Sequence, residues 1–350
     1  MKKKILVSVM AMASLLVFSA CGGKKVDIES EDTPLSDSVE VSEDALAENG
    51  DRLKIVTTIF PEYDWVCQIL GDKKDDSDVY MLLDNGVDLH SYQPTAEDIM
   101  NIADCDMFIY VGGESDEWVE DALKEKVNND MVVINLLDVL GDEVKEEEVV
   151  EGMEAEEEEE AEGEEGEEED VEYDEHVWLS LKNAQTLCVE IGEKLGEIDP
   201  ENKDIYAQNT SAYVSELKNL DNKYAEAVAG ADVNTVLFGD RFPFRYMTDD
   251  YGLNYYAAFV GCSAETEASF ETIVFLSGKV DELGLSTVLT IEGADHKIAE
   301  TIVQNTQSKD QQILTLDSMQ STTKNDVSNG ASYLSIMESN LEVLEKALTK

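Results

Sequence analysis

The chain has 350 residues, with 79 acidic against 25 basic side chains and a formal net charge of −54. A surface this acidic excludes nucleic acid as a partner, because affinity for phosphate backbones comes from Lys and Arg. Much of the charge is local: the 34 residues from Asp142 to Glu175 hold 22 acids and one Lys, which is −21 of the total.

Lys2, Lys3 and Lys4 precede an apolar, small-residue run from Ile5 to Ala20. That run is shorter than the roughly 20 apolar residues of a membrane span and reads as an export signal. It ends at Ser19-Ala20-Cys21-Gly22, similar to a lipobox with Phe18 where leucine is usual. The expectation is cleavage after residue 20 and lipid on Cys21, anchoring the chain at the extracytoplasmic face of the cell membrane. A plain secretory signal is the alternative. Residues 21–51 are rich in Ser, Asp and Glu and bury too little to fold, so they read as a tether. Cys67, Cys105, Cys188 and Cys262 are widely spaced, with neither a disulfide framework nor a thiolate metal motif; Cys67 and Cys188 lie in apolar-periodic stretches and read as core.

From Leu53 onward short apolar runs alternate with helical periodicity. Strands are predicted at Leu53–Ile59, Val79–Leu83, Met107–Val111 and Met131–Asn135, and helices at Asp64–Leu70, Ala96–Ala103 and Trp118–Val127. This alternation implies βαβ units and a mainly parallel sheet, whose ligands bind beyond the carboxyl ends of the strands. The acidic run 142–175 is low-complexity and predicted to be disordered. A helix follows from Trp178 to Leu195. Asp199 suits an N-cap and Pro200 a first helical position. Apolar or aromatic residues at 206, 213, 217, 220, 224 and 228 form one stripe, and about thirty helical residues span about 45 Å. The alternation then restarts, with strands at Thr235–Phe238, Tyr255–Ala258, Thr287–Ile291 and Gln312–Leu316. Helices are predicted at Ser269–Leu283, His296–Asn305 and Tyr333–Leu348.

The chain has three histidines. His90 lies in Val87-Asp88-Leu89-His90-Ser91-Tyr92-Gln93-Pro94-Thr95, and His176 in Asp174-Glu175-His176-Val177-Trp178-Leu179-Ser180. Both follow a strand-to-loop transition and precede a helical pattern. Either alone reads as an ordinary loop histidine; together, two imidazoles meeting in space hold a divalent metal. His296, in Asp295-His296-Lys297 at a helix start, is expected to be exposed and outside the site.

These segments resemble the zinc/manganese ABC-transporter substrate-binding lipoprotein family. G-V-D-L-H-S-Y-Q-P-T and D-E-H-V-W-L-S-L-K-N-A resemble its first two ligand segments. Thr57-Thr58-Ile59-Phe60-Pro61, Gly112-Gly113-Glu114 through Trp118, Asp199-Pro200-Glu201-Asn202 and Thr315-Leu316-Asp317-Ser318 follow in the family's order. The likeness covers roughly residues 52–350. It implies an α/β fold of two lobes, each a mainly parallel sheet flanked by helices, joined by one long helix, with a metal site in the cleft between them. The lobes are then 52–197 and 231–350, with the helix at 198–230. The implied ligands are His90, His176 and Asp317.

The fourth ligand position falls near Gly239, Asp240 or Arg241, of which Asp240 carries a suitable oxygen. Arg241 is one of three arginines against 22 lysines, which points to use of its planar guanidinium, for instance to orient Asp240 or Asp317. Glu292 is expected to support the ligands. Imidazole and carboxylate donors suit Zn2+, with Mn2+ as the alternative. The implied function is a monomeric receptor that hands metal to an ABC permease and its ATPase and does no chemistry on it. A lipid-anchored zinc hydrolase, for which H-E-x-x-H is missing, and a metal-containing adhesin are the competing readings. The acidic run reads either as an insertion without duty or as a loose metal collector.

Overall fold

The computed structural model of the chain describes residues 52–154, 172–263, 267–293 and 295–350. The export signal, Cys21, the tether and positions 155–171 of the acidic run lie outside the described residues.

The first lobe is built on β1 (Leu53–Thr57), β2 (Ser77–Met81), β3 (Met107–Tyr110) and β4 (Val132–Asn135), all parallel in the order β2-β1-β3-β4. Continuous apolar strands such as Met-Phe-Ile-Tyr in β3 are what a sheet covered on both faces requires. Helices α1 (Phe60–Leu70), α2 (Ala96–Ala103) and α3 (Trp118–Lys124) make the crossovers, and α4 (Leu136–Leu140) follows β4. Helix α1 starts four residues ahead of the predicted Asp64. Pro61 stands in its first turn, and Glu62 Oε2 reaches back to accept from the Thr58 and Ile59 N–H groups at 2.8 and 3.2 Å, which satisfies orphan donors at the helix start.

Two antiparallel-packed helices lead out of this lobe. Ser180 caps α5 (Leu181–Ile198), accepting from the Asn183 N–H at 3.0 Å. The predicted N-cap, Asp199, instead closes α5, and its Oδ2 accepts from Asn202 Nδ2 and the Tyr206 hydroxyl at 2.7 and 2.6 Å. Pro200 therefore sits in the connecting turn and α6 runs from Lys203 to Ala229, 27 residues or about 40 Å. Of its predicted stripe, Tyr206, Tyr213, Leu217, Leu220 and Tyr224 are buried and Val228 is half-buried. Tyr213 bonds Asp64 of α1, and Tyr224 donates to the Met337 carbonyl near the C-terminus.

The second lobe repeats the pattern. It comprises β5 (Thr235–Phe242), α7 (Arg245–Tyr251), β6 (Asn254–Val260), α8 (Phe270–Leu283), β7 (Thr287–Ile291), α9 (Lys297–Asn305), β8 (Gln312–Leu316), α10 (Lys324–Ser328) and α11 (Tyr333–Ala347). Its strands are parallel in the order β6-β5-β7-β8. Strand β5 runs four residues past its predicted end because, beyond a register shift between Phe238 and Arg241, Arg241 and Phe242 pair again with Phe259 and Val260 of β6.

The predicted disorder of 142–175 fails at both ends of that segment. Glu147 N–H donates to the Glu172 carbonyl and Asp174 N–H to the Lys145 carbonyl, both at 2.9 Å, so the ends pair with each other. Glu154 N–H donates to Ala258 at 2.9 Å and Glu154 Oε1 accepts from Ser269 N–H at 2.7 Å, which fastens the segment to the second lobe. Backbone pairing outweighs the like-charge repulsion there. Cys105 and Cys188 are buried and Cys67 half-buried, all free thiols.

Candidate metal centre

His90 sits on a one-turn 3-10 helix after β2, anchored by buried Leu89. His176, fully buried, follows the acidic segment. Each is set by the same device, an aspartate two residues earlier. Asp88 Oδ1 accepts from the His90 N–H at 3.1 Å, and Asp174 Oδ1 from the His176 N–H at 2.9 Å. The Asp-x-His repeat is legible in the sequence, and it marks both loops.

The two imidazoles meet. Their Nε2 atoms are 3.2 Å apart and their ring centroids 5.2 Å. Two imidazole nitrogens bound to one tetrahedral zinc at about 2.0–2.1 Å stand about 3.3 Å apart. The opposite ring atoms are engaged: His90 Nδ1 lies 2.7 Å from Ser115 Oγ and 3.5 Å from Glu175 Oε2, and His176 Nδ1 lies 3.0 Å from Asp174 Oδ1. An Nδ1–H directed at an oxygen leaves Nε2 as the donor for an ion and raises its basicity. Glu175 is held in turn, its Oε1 accepting from the Ser115 N–H at 2.9 Å. Gly113, at φ 84°, stands where any Cβ would collide with the Glu175 carboxylate, so glycine is required.

The electrostatics split the pair. Burial and the neighbouring His176 push His90 down to about 3. Burial also disfavours charge on His176, but Asp174 outweighs it and raises that group. With the two Nε2 atoms in contact, only one proton fits between them. Burial lifts Glu175 to about 7.

Arg241 bridges the lobes. It donates to Asp88 Oδ2 at 2.6 Å and to the Ser263 carbonyl at 3.3 Å. The sequence reading aimed it at Asp240 or Asp317; its partner is instead the aspartate that holds the His90 backbone. Asp240 directs both oxygens at backbone, accepting from the N–H groups of Arg241 at 2.9 Å and Ile291 at 3.1 Å. It stands at the register shift of β5, where the ladder to β7 lapses after Phe238–Leu289, and its carboxylate replaces the missing rung. Asp317 Oδ1 accepts from the Met319 N–H at 2.8 Å, and its backbone is pinned by Asn340 on α11. Burial and the charge of Glu292 raise Asp317 to about 6. Glu292 accepts from Ser318 N–H and Oγ and from Gln320 N–H at 2.7–3.2 Å, organising the turn that carries Asp317. His296 is half-buried rather than exposed, with a positive φ of 57°.

Among the described residues, the metal-ligating atoms that gather within 4.8 Å of one another belong to His90, His176 and Cys262; Asp240 and Asp317 are outside that group. Cys262, in the turn after β6, has no motif around it in the sequence. A cleft of about 350 Å³ opens on His90 and Cys262, walled also by Glu175, Arg241 and, from the acidic segment, Glu147 and Glu172, while His176 is fully buried and does not line it.

Two parallel-sheet lobes with an imidazole pair facing their junction define a two-lobed metal-binding protein of the solute-receptor kind. The chain belongs to the family described as "Zinc-uptake complex component A periplasmic", whose model matches residues 55–347. It is 30% identical over 302 residues to the high-affinity zinc uptake system protein ZnuA of Bacillus subtilis, covering 85% of this chain and 88% of that protein. It is 31% identical over 301 residues to the zinc-binding lipoprotein AdcA of Streptococcus pneumoniae, where the match covers 84% of this chain but 56% of AdcA; the chain thus spans about half the length of that relative. The Zn(II)-bound ZnuA-like domain of AdcA superposes with a TM-score of 0.65 at 27% identity, covering 85% of this chain and 99% of that domain. The metal-dependent lipoprotein YcdH of B. subtilis gives 0.67 at 27% identity, over 85% and 99%.

Proposed function

We propose that this protein is an extracytoplasmic receptor that captures zinc and delivers it to an ABC permease with its ATPase, as a monomer held to the membrane by lipid on Cys21. The observation that carries this reading is the His90–His176 pair. Its Nε2 atoms stand 3.2 Å apart with both Nδ1 atoms anchored by oxygen partners. Imidazole donors favour zinc over manganese. Asp317, half-buried, has its charge disfavoured by burial and by Glu292, so a cation beside it would be stabilising, and it is the carboxylate ligand that the second lobe supplies. The cargo leaves chemically unchanged.

Elemental analysis of the full-length chain purified without added metal, followed by chelator competition, tests the reading. Zinc is expected at one ion per chain. His90→Ala and His176→Ala each remove a nitrogen ligand and should abolish tight binding with the fold intact. Wild-type affinity in either variant refutes the site.

A further inference from the structure

We propose that Cys262 is a ligand for the cargo ion, so that the site joins two imidazoles of the first lobe to a sulfur of the second. This rests on the zinc-receptor reading above and specifies how the second lobe grips the ion.

Three observations carry it. Sγ of Cys262 lies within 4.8 Å of a ring nitrogen of each histidine, in a group that neither Asp240 nor Asp317 joins. On a tetrahedral zinc, with Zn–S about 2.3 Å and Zn–N about 2.0–2.1 Å, sulfur and nitrogen stand about 3.6 Å apart. A gathering within 4.8 Å is close to that separation, and rotation of the Cys262 side chain between staggered positions is the movement that would close the remainder. Second, the turn is shaped to bring it there. A Cβ on Gly261 would come 2.9 Å from His176 Cε1 and 3.0 Å from the Phe242 carbonyl; glycine lets this turn lie directly on the imidazole. Third, Cys262 lines the same cleft as His90, Glu175 and Arg241, so an ion entering that cleft meets the thiol.

The binding step balances without redox chemistry. The thiol gives up its proton to solvent, the S–H electron pair becomes the donor to the ion, and one S–metal bond forms. Burial and the carboxylates of Asp174, Glu175 and Glu147 hold the free thiol protonated; the ion supplies the charge that offsets them. A thiolate is a soft donor that selects zinc over manganese, where an oxygen at the same place favours the harder ion. Cys262 is therefore a selectivity determinant as well as a ligand.

The test uses Co(II) as an optical probe and zinc by chelator competition, on the full-length chain, its Cys262→Ser variant and its Cys262→Asp variant. Wild type should show a near-ultraviolet thiolate-to-cobalt charge-transfer band that Cys262→Ser lacks while keeping visible ligand-field bands. Zinc affinity of Cys262→Ser should fall by more than the roughly 10–100-fold expected for loss of an outer supporting group. Cys262→Asp should recover binding with manganese gaining relative to zinc. Circular dichroism and melting establish that both variants fold. No charge-transfer band in wild type, or wild-type zinc affinity in Cys262→Ser while His90→Ala loses binding, overturns the thiolate and leaves the receptor reading standing. A wild-type chain that takes up neither zinc nor cobalt overturns both.

Discussion

Replacing Arg241 with methionine removes the guanidinium and keeps much of the side-chain volume. Arg241 donates to Asp88 Oδ2 at 2.6 Å and to the Ser263 carbonyl at 3.3 Å, and the two charged side chains are only 18% and 25% exposed. Such a pair is incompletely screened by solvent. A hydrogen bond to a charged group contributes about 1.5–3 kcal/mol, and the aspartate left behind is partly buried, so a loss of about 2–3 kcal/mol is expected. Asp88→Asn retains an oxygen facing the His90 N–H and drops the charge. A double-mutant cycle on the two substitutions, read by denaturant unfolding, should give a coupling of about 1 kcal/mol or more.

The pH dependence has a definite sign. Burial raises the Asp88 carboxyl, but Arg241 outweighs it and the net shift is downward. A depressed carboxylate contributes stability above its unfolded value of about 3.9 and loses it as pH falls through the folded value. The difference between wild type and Arg241→Met should therefore be full near neutrality and shrink below about pH 4. Zinc affinity should fall about 10–100-fold in Arg241→Met, since Asp88 also places the His90 backbone. A coupling below about 0.3 kcal/mol, with unchanged zinc affinity, would falsify the bridging role.

Asp240→Ala should lower stability by about 1–3 kcal/mol, because two backbone N–H groups lose their acceptor, and should leave zinc affinity within a few-fold by chelator competition. Asp317→Ala should do the reverse, weakening zinc strongly with little effect on unfolding; the opposite ranking would return the ligand role to Asp240. Zinc affinity should fall as pH drops through the raised His176 value, because a proton then occupies the imidazole pair, and the same titration on Cys262→Ser should lose about one proton of slope. Deleting residues 155–171 should leave affinity nearly unchanged. Deleting 145–172 should weaken it, since Glu147 and Glu172 wall the cleft and Glu154 ties the segment to β6; equal affinities in the two deletions would show that these walls do not matter.

The order of the eight strands and of the longer helices is legible because it is written in short-range patterns; α4, α7 and α10, of five to seven residues, are too short to show a period and are not predicted. Apolar runs such as Met107–Tyr110 and the stripe from Tyr206 to Tyr224 report burial at spacings set by the elements themselves. In the structure Thr95 and Asp98 form a capping box at the start of α2. The imidazole pair was also within reach of sequence, since each histidine follows an aspartate by two residues. What tertiary structure alone decided are contacts between segments far apart in the chain. Arg241 and Asp88 are separated by 153 positions, and the pairing depends on how one lobe faces the other. Asp240 carries the suitable oxygen where the resemblance implies a fourth ligand, whereas the backbone N–H groups of Arg241 and Ile291 that its oxygens accept from are brought there by sheet register. Cys262 carries no local signal at all. Its nearness to His90 and His176 follows from where the turn after β6 meets the first lobe, and a chain's local patterns are silent about that meeting because neither segment depends on the other to form.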